Sequence, residues 1–501
     1  MSNNHPHTPK QSIFDRRLSR RTMMAGAGAT VLSVAMAGSI PGATYAARQG
    51  QSLSGKFKME AHDYTPSQSM QKSANNPVPH DALARAIKSY QQINPDVEIE
   101  LVRVPPGTDS RVWTVTQLTG ERAPEVVWTQ SFDANRDAGK NWWVNLDPYM
   151  AKPNPYVDAG QPGSAKWLDQ FFESPTAAKV GPDGHMYVVP YDLVTTFFFY
   201  NKPVFQKAGV EPPTTYADFI TVLSKIKDSG VVPYNGMQWS RPQLGDMLLR
   251  AWAPNIPATG TGGAYTQKDI TLAIIDGSFD ATKPEYKEWL RLMKDSVPYW
   301  SEQWTVAATT KFDLQFSQGK LGILEDGSWR FGLLKANDQL DFEWGSFFMP
   351  PLTKGTGPGL SELADGKPAP SIGGATANQY GVTNTAVKNN NVDLVIDFLR
   401  YISAPAQASE IIGELGQFLP NIKGVDVNQD LAPALKAVSS GIGEAGMIAY
   451  GDKIDAEAGV NIGKATDNYL LGRTELDETA TQLQKLYMDQ AVKTAADQGW
   501  K

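Results

Sequence analysis

Four hydrogen-bonding side chains stand where an α/β sheet could use them. Asp63 and Tyr64 follow one strand-like segment, and Gln130 and Ser131 follow another. Open α/β sheets bind ligands at the carboxyl ends of their strands, which makes these four candidate ligand contacts. Each could equally cap the helix that follows. Catalytic chemistry finds less support. The chain has no cysteine, so thiol nucleophiles, thiolate metal sites and disulfides are excluded. Beyond the first few residues its histidines are His62, His80 and His185, far apart and without HExxH-type spacing, so no metal site is expected. His62 reads as a partnered surface or core histidine. Asp426, Asn428 and Asp430 open like a calcium loop, but Leu431 stands where glycine is needed and Ala437 where a bidentate glutamate is needed. No nucleophile elbow, P-loop or dinucleotide fingerprint is present, and no cofactor is implied. With 53 acidic residues a glycosidase-like carboxylate pair can always be chosen, and sequence spacing cannot identify one.

The elements that position these residues alternate. Lys56–Ala61 reads as a strand, Asp81–Ile93 as a helix with Leu83, Ile87 and Tyr90 on one face, and Val97–Val104 as a second strand. That βαβ start implies a parallel sheet covered by helices. Glu125–Trp128 is a third strand. Thr215–Asp228 is a helix with Thr215 and Asp218 at capping-box spacing, and Gly230 stops it. Leu394–Ile402 is a helix closed by Pro405, and Thr474–Ala496 is a long terminal helix. Ser67–Pro79 is polar and reads as a loop. The fold class is α/β.

Ser19-Arg20-Arg21-Thr22, followed by an uncharged Ala/Gly-rich stretch from Ala25 to Ala47, reads as a twin-arginine export signal over residues 1–47, with a linker over 48–55. Small residues close it where a membrane anchor would carry Lys or Arg. The mature chain is then expected in the periplasm or outside the cell, and without cysteine it cannot be a lipoprotein. The signal is net +4, which leaves the rest of a chain at −7 near −11. So acidic a protein is a poor partner for nucleic acid or anionic lipid.

A family resemblance rests on motifs in order. Arg122-Ala-Pro-Glu-Val-Val-Trp128 with Val144-Asn-Leu-Asp-Pro-Tyr149 resembles the "aPDvv…l.dLtpy" segment of the family 1 extracellular solute-binding proteins, the sugar receptors of ABC importers. Phe198-Phe-Tyr-Asn-Lys202 with Ala208-Gly-Val210, Pro213-Thr-Thr-Tyr-Ala-Asp-Phe219, Phe316-Ser-Gln-Gly-Lys-Leu-Gly322 and Gly327-Ser-Trp329 are similar to later motifs of that family. Gly373-Gly374, Gly381-Val382 and Phe398-Leu399 match the segment after them, so the resemblance covers nearly all of Lys56–Lys501. Glu125 departs from the usual aspartate, and Ser67–Pro79 lengthens the first loop.

The resemblance implies a two-lobed periplasmic-binding-protein fold of type II with a hinge and an interlobe cleft. It places the first lobe at 56–194 plus 340–390 and the second at 195–339 plus 391–501, with crossings near Asp192–Phe199, Asn337–Phe342 and Lys388–Val392. It implies a monomer that binds a carbohydrate, breaks no bond and serves ABC permease subunits. A secreted carbohydrate-active enzyme, or the same fold carrying a polyamine, peptide or iron chelate, is the alternative. A sugar needs aromatic platforms edged by polar groups. Trp329 matches a sugar-stacking position of the family, Trp239 resembles a loop supplying a second platform, and Thr195 lies on the crossing strand. Of the thirteen tryptophans, Trp142, Trp143, Trp167, Trp252 and Trp289 read as core.

Overall fold

The computed structural model describes residues 53–73, 76–177, 179–236, 252, 255–257, 259, 265–302, 304–305, 309–337, 340–355, 359–364, 378–425 and 456–500. The export signal, Trp239, Gly373-Gly374 and the Asp426–Asp430 segment lie outside them.

Strands β1 (Ser54–Glu60) and β2 (Asp96–Val102) pair in parallel through helix α1 (Ala82–Ile93), as the βαβ pattern predicts. Ser54 and Gly55, read as linker, belong to β1 because they pair with Asp96 and Val97. β3 (Val126–Trp128) runs parallel on the other side of β1. The five-stranded sheet has the order β2-β1-β3-β10-β4, with β4 at Val188–Pro190 and β10 at Gln379–Val382, the latter antiparallel to both neighbours. The chain then leaves this sheet. A short strand β5 (Asp192–Leu193) pairs with β11 (Leu419–Pro420), and β6 (Thr196–Asn201) enters a second sheet of order β7-β8-β6-β9. Its other members are β7 (Val232–Tyr234), β8 (Leu321–Gly327) and β9 (Trp344–Phe347). The chain passes from the first sheet to the second between Pro190 and Thr196.

Each sheet has its own core. Phe57, Met59, Tyr90, Val126 and Tyr380 bury against helices α8 (Val392–Ser403) and α9 (Pro405–Leu415) in the first. In β6 successive side chains point to opposite faces. Phe198 joins a core with Phe219, Tyr286 and Leu290, while Phe197 and Phe199 face Phe312, Phe316 and Phe331. The terminal helices α10 (Ala456–Leu470) and α11 (Leu476–Gln498) seal the Phe198 side through Tyr469, Leu483 and Tyr487.

These packings redraw the lobe boundaries. β9, assigned by number to the first lobe, hydrogen-bonds to β6 in the second sheet. Helices α8 and α9, assigned to the second, bury Phe398, Ile402 and Ile411 in the first core. The return from the second sheet therefore lies between Phe347 and Gln379 rather than near Asn337–Phe342. Lys388–Val392 is no crossing, because the chain stays on the first core from Val392 to Val425, and Ile462 is on the second.

Local signals hold where they are local. Helix α4 (Tyr216–Asp228) carries a complete capping box: Asp218 N donates to Thr215 Oγ1, and Thr215 N donates to Asp218 Oδ2. Its stripe of Phe219, Val222, Leu223 and Ile226 is buried. Pro405 follows α8 and opens α9, its missing N–H costing nothing in a first turn. Trp143, Trp167, Trp252 and Trp289 are core, and Trp142 is partly buried.

Candidate functional site

The carboxyl ends of β1 and β3 are stapled by a buried carboxylate. Glu60 accepts from His62 N at 2.8 Å with one oxygen and from Trp128 N at 3.2 Å with the other. Burial pushes its carboxyl above the usual range. The staple brings two rings together: His62 stacks on Trp128 with centroids 4.0 Å apart and planes 17° from parallel. His62 holds φ at 50°, a left-handed conformation uncommon outside glycine. Its Nδ1 lies 3.0 Å from Asp63 Oδ2. Burial opposes charge on the imidazole, but the carboxylates of Asp63, Glu60 and Asp192 outweigh it and hold the pKa above the ordinary value.

His62 and Asp63 line an open cavity of about 1190 Å³. Its walls also include Arg103 after β2, much of the 65–80 loop, Gln417, and Leu333 of helix α7 (Arg330–Ala336) from the second sheet. Gln130 lines a neighbouring cavity of about 380 Å³ with Trp128, Arg111 and Asp133, and Ser110 belongs to both. Gln130 holds the N-cap position of helix α3 (Ser131–Asp137) but makes no side-chain cap, so its amide is available to that cavity.

The remaining candidates point inward. Tyr64 is buried, and its hydroxyl donates to Asp192 Oδ2 at 2.5 Å. Asp192 also accepts from Asn378 N at 2.6 Å and from Asn378 Nδ2 at 3.1 Å. One carboxyl group thus joins the end of β1 to two of the three segments that connect the sheets. Ser131 is buried, its N–H donating to Gln379 Oε1. Thr195 is buried on the crossing, and its carbonyl accepts from Ser328 N at 2.8 Å, fixing the turn that carries Trp329. Trp329 is partly buried, packs on the first core although β8 delivers it, and lies so close over Gly327 that a Cβ there would meet its ring at 2.0 Å. Trp239 lies outside the described residues. The structure therefore brings Asp63 to the large cavity and Gln130 to the adjoining one, and turns Tyr64, Ser131 and Thr195 toward the protein interior. Residues that sequence reasoning did not nominate are Trp128, Arg103 and Glu60. Their one signal was position at the ends of adjacent strands.

The arrangement offers a stacked ring pair, a carboxylate, amides and a guanidinium group around open space. A model of the bacterial extracellular solute-binding protein family matches residues 85–437. A probable sugar-binding periplasmic protein of Rhizobium meliloti (strain 1021) is 26% identical over 146 residues, 28% of this chain and 32% of that protein. An sn-glycerol-3-phosphate-binding periplasmic protein of the same organism is 27% identical over 154 residues, 30% of this chain and 34% of that one. The chain thus spans about a third of the length of the curated relatives it matches. Among solved structures, a chitin oligosaccharide binding protein superposes with a TM-score of 0.61 at 18% identity, covering 88% of this chain and 99% of that one. That likeness establishes the two-lobed fold.

Proposed function

Since the chain belongs to the bacterial extracellular solute-binding proteins, we propose that it captures a carbohydrate between its two sheets and hands it unchanged to the permease of an ABC importer. The observation that supports this most is the large cavity at the ends of β1 and β2. Polar uncharged groups dominate it, Asp63 supplies a carboxylate, and His62 presents a flat ring backed by Trp128. A sugar offers the complement, apolar C–H faces and a rim of hydroxyls. Trp329, placed by the β8–α7 turn, is the platform from the second sheet. Contacts from both sides favour closure, because ligand selects the conformation in which both are made.

The protein works outside the cytoplasm as a monomer, reached through the Arg20-Arg21 export signal. Calorimetry and thermal shift against a sugar panel, with glycerol 3-phosphate and a polyamine alongside, test the reading. A sugar that raises the melting temperature and is recovered unchanged supports it. A response to the phosphate or the polyamine alone, or turnover by protein free of contaminating enzyme, refutes it.

A further inference from the structure

The described parts of the loop that lengthens the passage from β1 to α1, residues 65–73 and 76–80, are tied in place. Ser67 N donates to the His80 carbonyl at 2.8 Å, and His80 N donates back to Ser67 Oγ at 3.1 Å, closing the base. Thr65 and Val78 present their carbonyls to the two ring nitrogens of His80 at 3.0 and 2.9 Å. Across the middle, Asn76 Nδ2 donates to the carbonyls of Ser69 and Gln71 at 2.7 and 3.1 Å, while Ser67 Oγ donates to Asn76 Oδ1 at 2.8 Å. Arg103, from the strand beside β1, donates to the Pro66 carbonyl. A loop so tied presents its outward side chains from a fixed frame, which binding requires and a solvated loop does not supply.

Those side chains are Gln68, Ser69 and Gln71, all exposed and all lining the same cavity as Asp63. On its other flank the loop faces the second sheet: Lys72, Ser73 and Pro77 border a cavity of about 500 Å³ opposite Phe316, Leu333 and Asn337. The loop therefore stands between the two halves, beside the space a ligand would occupy. The cavity as a whole exceeds the roughly 300–1,000 Å³ of a pocket that encloses one drug-sized molecule.

We propose that the 65–80 loop forms an outer subsite, in which the amides of Gln68 and Gln71 and the hydroxyl of Ser69 hydrogen-bond a sugar unit beyond the one seated at Asp63. The inference rests on the carbohydrate reading and adds chain length to it: the ligand is an oligosaccharide, and the loop discriminates by length.

Calorimetry on the wild type and on the double variant Gln68→Ala/Gln71→Ala, with maltooligosaccharide and chito-oligosaccharide series from the single sugar to the tetrasaccharide, tests it. Both glutamines are exposed, so melting temperature should not change. In the series that binds, the variant should lose about tenfold or more in affinity for the longer members and nothing for the single sugar, the loss set by neutral hydrogen bonds. Equal affinity of variant and wild type at every length overturns the subsite, as does an equal loss at every length. If the wild type binds sugars but gains nothing from the second unit, the subsite fails while the carbohydrate reading stands. If it binds neither series, the same comparison is made with the oligomers of whichever sugar the panel identifies, and if no sugar of the panel binds, both fail.

Discussion

Asp192 makes the joint between the sheets sensitive to pH, and its effect can be worked out from its surroundings. The side chain is 1% exposed and sits among Tyr64, Tyr191 and Tyr380, with Asp63 as a nearby like charge. Burial pushes its pKa up to about 8, even though Tyr64 and Asn378 donate hydrogen bonds that favour the ionised form. In the unfolded chain it titrates near 3.8. Between those values the folded protein holds a proton that the unfolded chain has lost, so stability declines as pH rises through the window and levels off above about 8. At about 1.4 kcal/mol per unit, the full window corresponds to roughly 6 kcal/mol. His62, also held above its ordinary value, declines in the same direction, so the wild type alone does not isolate Asp192. Asp192→Asn does: the amide keeps the shape, accepts from Asn378 N and donates to Tyr64, gives up the bond from Asn378 Nδ2 at every pH alike, and cannot ionise. Urea denaturation of both proteins from pH 4 to 9 should show the wild type losing ground to the variant as pH rises. A difference that is flat, or that grows in the wild type's favour, would refute the assignment.

Other outcomes follow from single contacts. Glu60→Ala should orphan the backbone N–H groups of His62 and Trp128 and cost roughly 2 to 5 kcal/mol of stability in chemical denaturation, whereas Glu60→Gln, which can still accept one of them, should cost less. Thr215→Ala should remove the capping box of α4 at a cost of about 1 kcal/mol and leave ligand affinity untouched, since that helix end lies away from the cavity. Trp329→Ala should weaken carbohydrate binding by roughly 1 to 3 kcal/mol in calorimetry, and unchanged affinity would remove it from the site. Arg20→Lys with Arg21→Lys should leave unprocessed precursor in the cytoplasm, because a lysine pair lacks the guanidinium geometry the export route reads; normal processing would exclude that route.

What the sequence made legible divides by the range of the interactions involved. The capping box of α4 and the βαβ start are set by neighbours in the chain, so type and spacing were enough. The division into lobes was not local. The amphipathic stripe of a helix says that a face is buried, not which core receives it; α8 is buried almost all round, through Leu394, Val395, Ile396, Phe398 and Leu399, and carries no mark of the first sheet. β9 is assigned to the second sheet only by its ladder with β6, more than a hundred residues earlier. Glu125, a departure from the family's aspartate, has its reason in partners equally remote: the longer side chain accepts from Lys58 N at 2.8 Å and from Asn389 Nδ2 at 2.7 Å.

The same limit explains the site. Standing at the end of a strand fixes where a residue's Cα lies, and it was enough to pick out Asp63 and Gln130 as residues beside open space. It does not fix which way the side chain turns. Asp63 and Tyr64 are adjacent, yet one faces open space and the other the interior. The left-handed turn at His62 sends the chain around a short helix, and Tyr64 finds its acceptor in Asp192, 128 residues away. Buried against Asp192, Tyr64 takes another role, as the post through which the end of β1 holds two of the three connections between the sheets. If Asp63 holds the solute as proposed, that solute bears on the residue next to the post. The end of β1 and the crossing are joined through the hydrogen bond from the Tyr64 hydroxyl to Asp192, which Tyr64→Phe would remove.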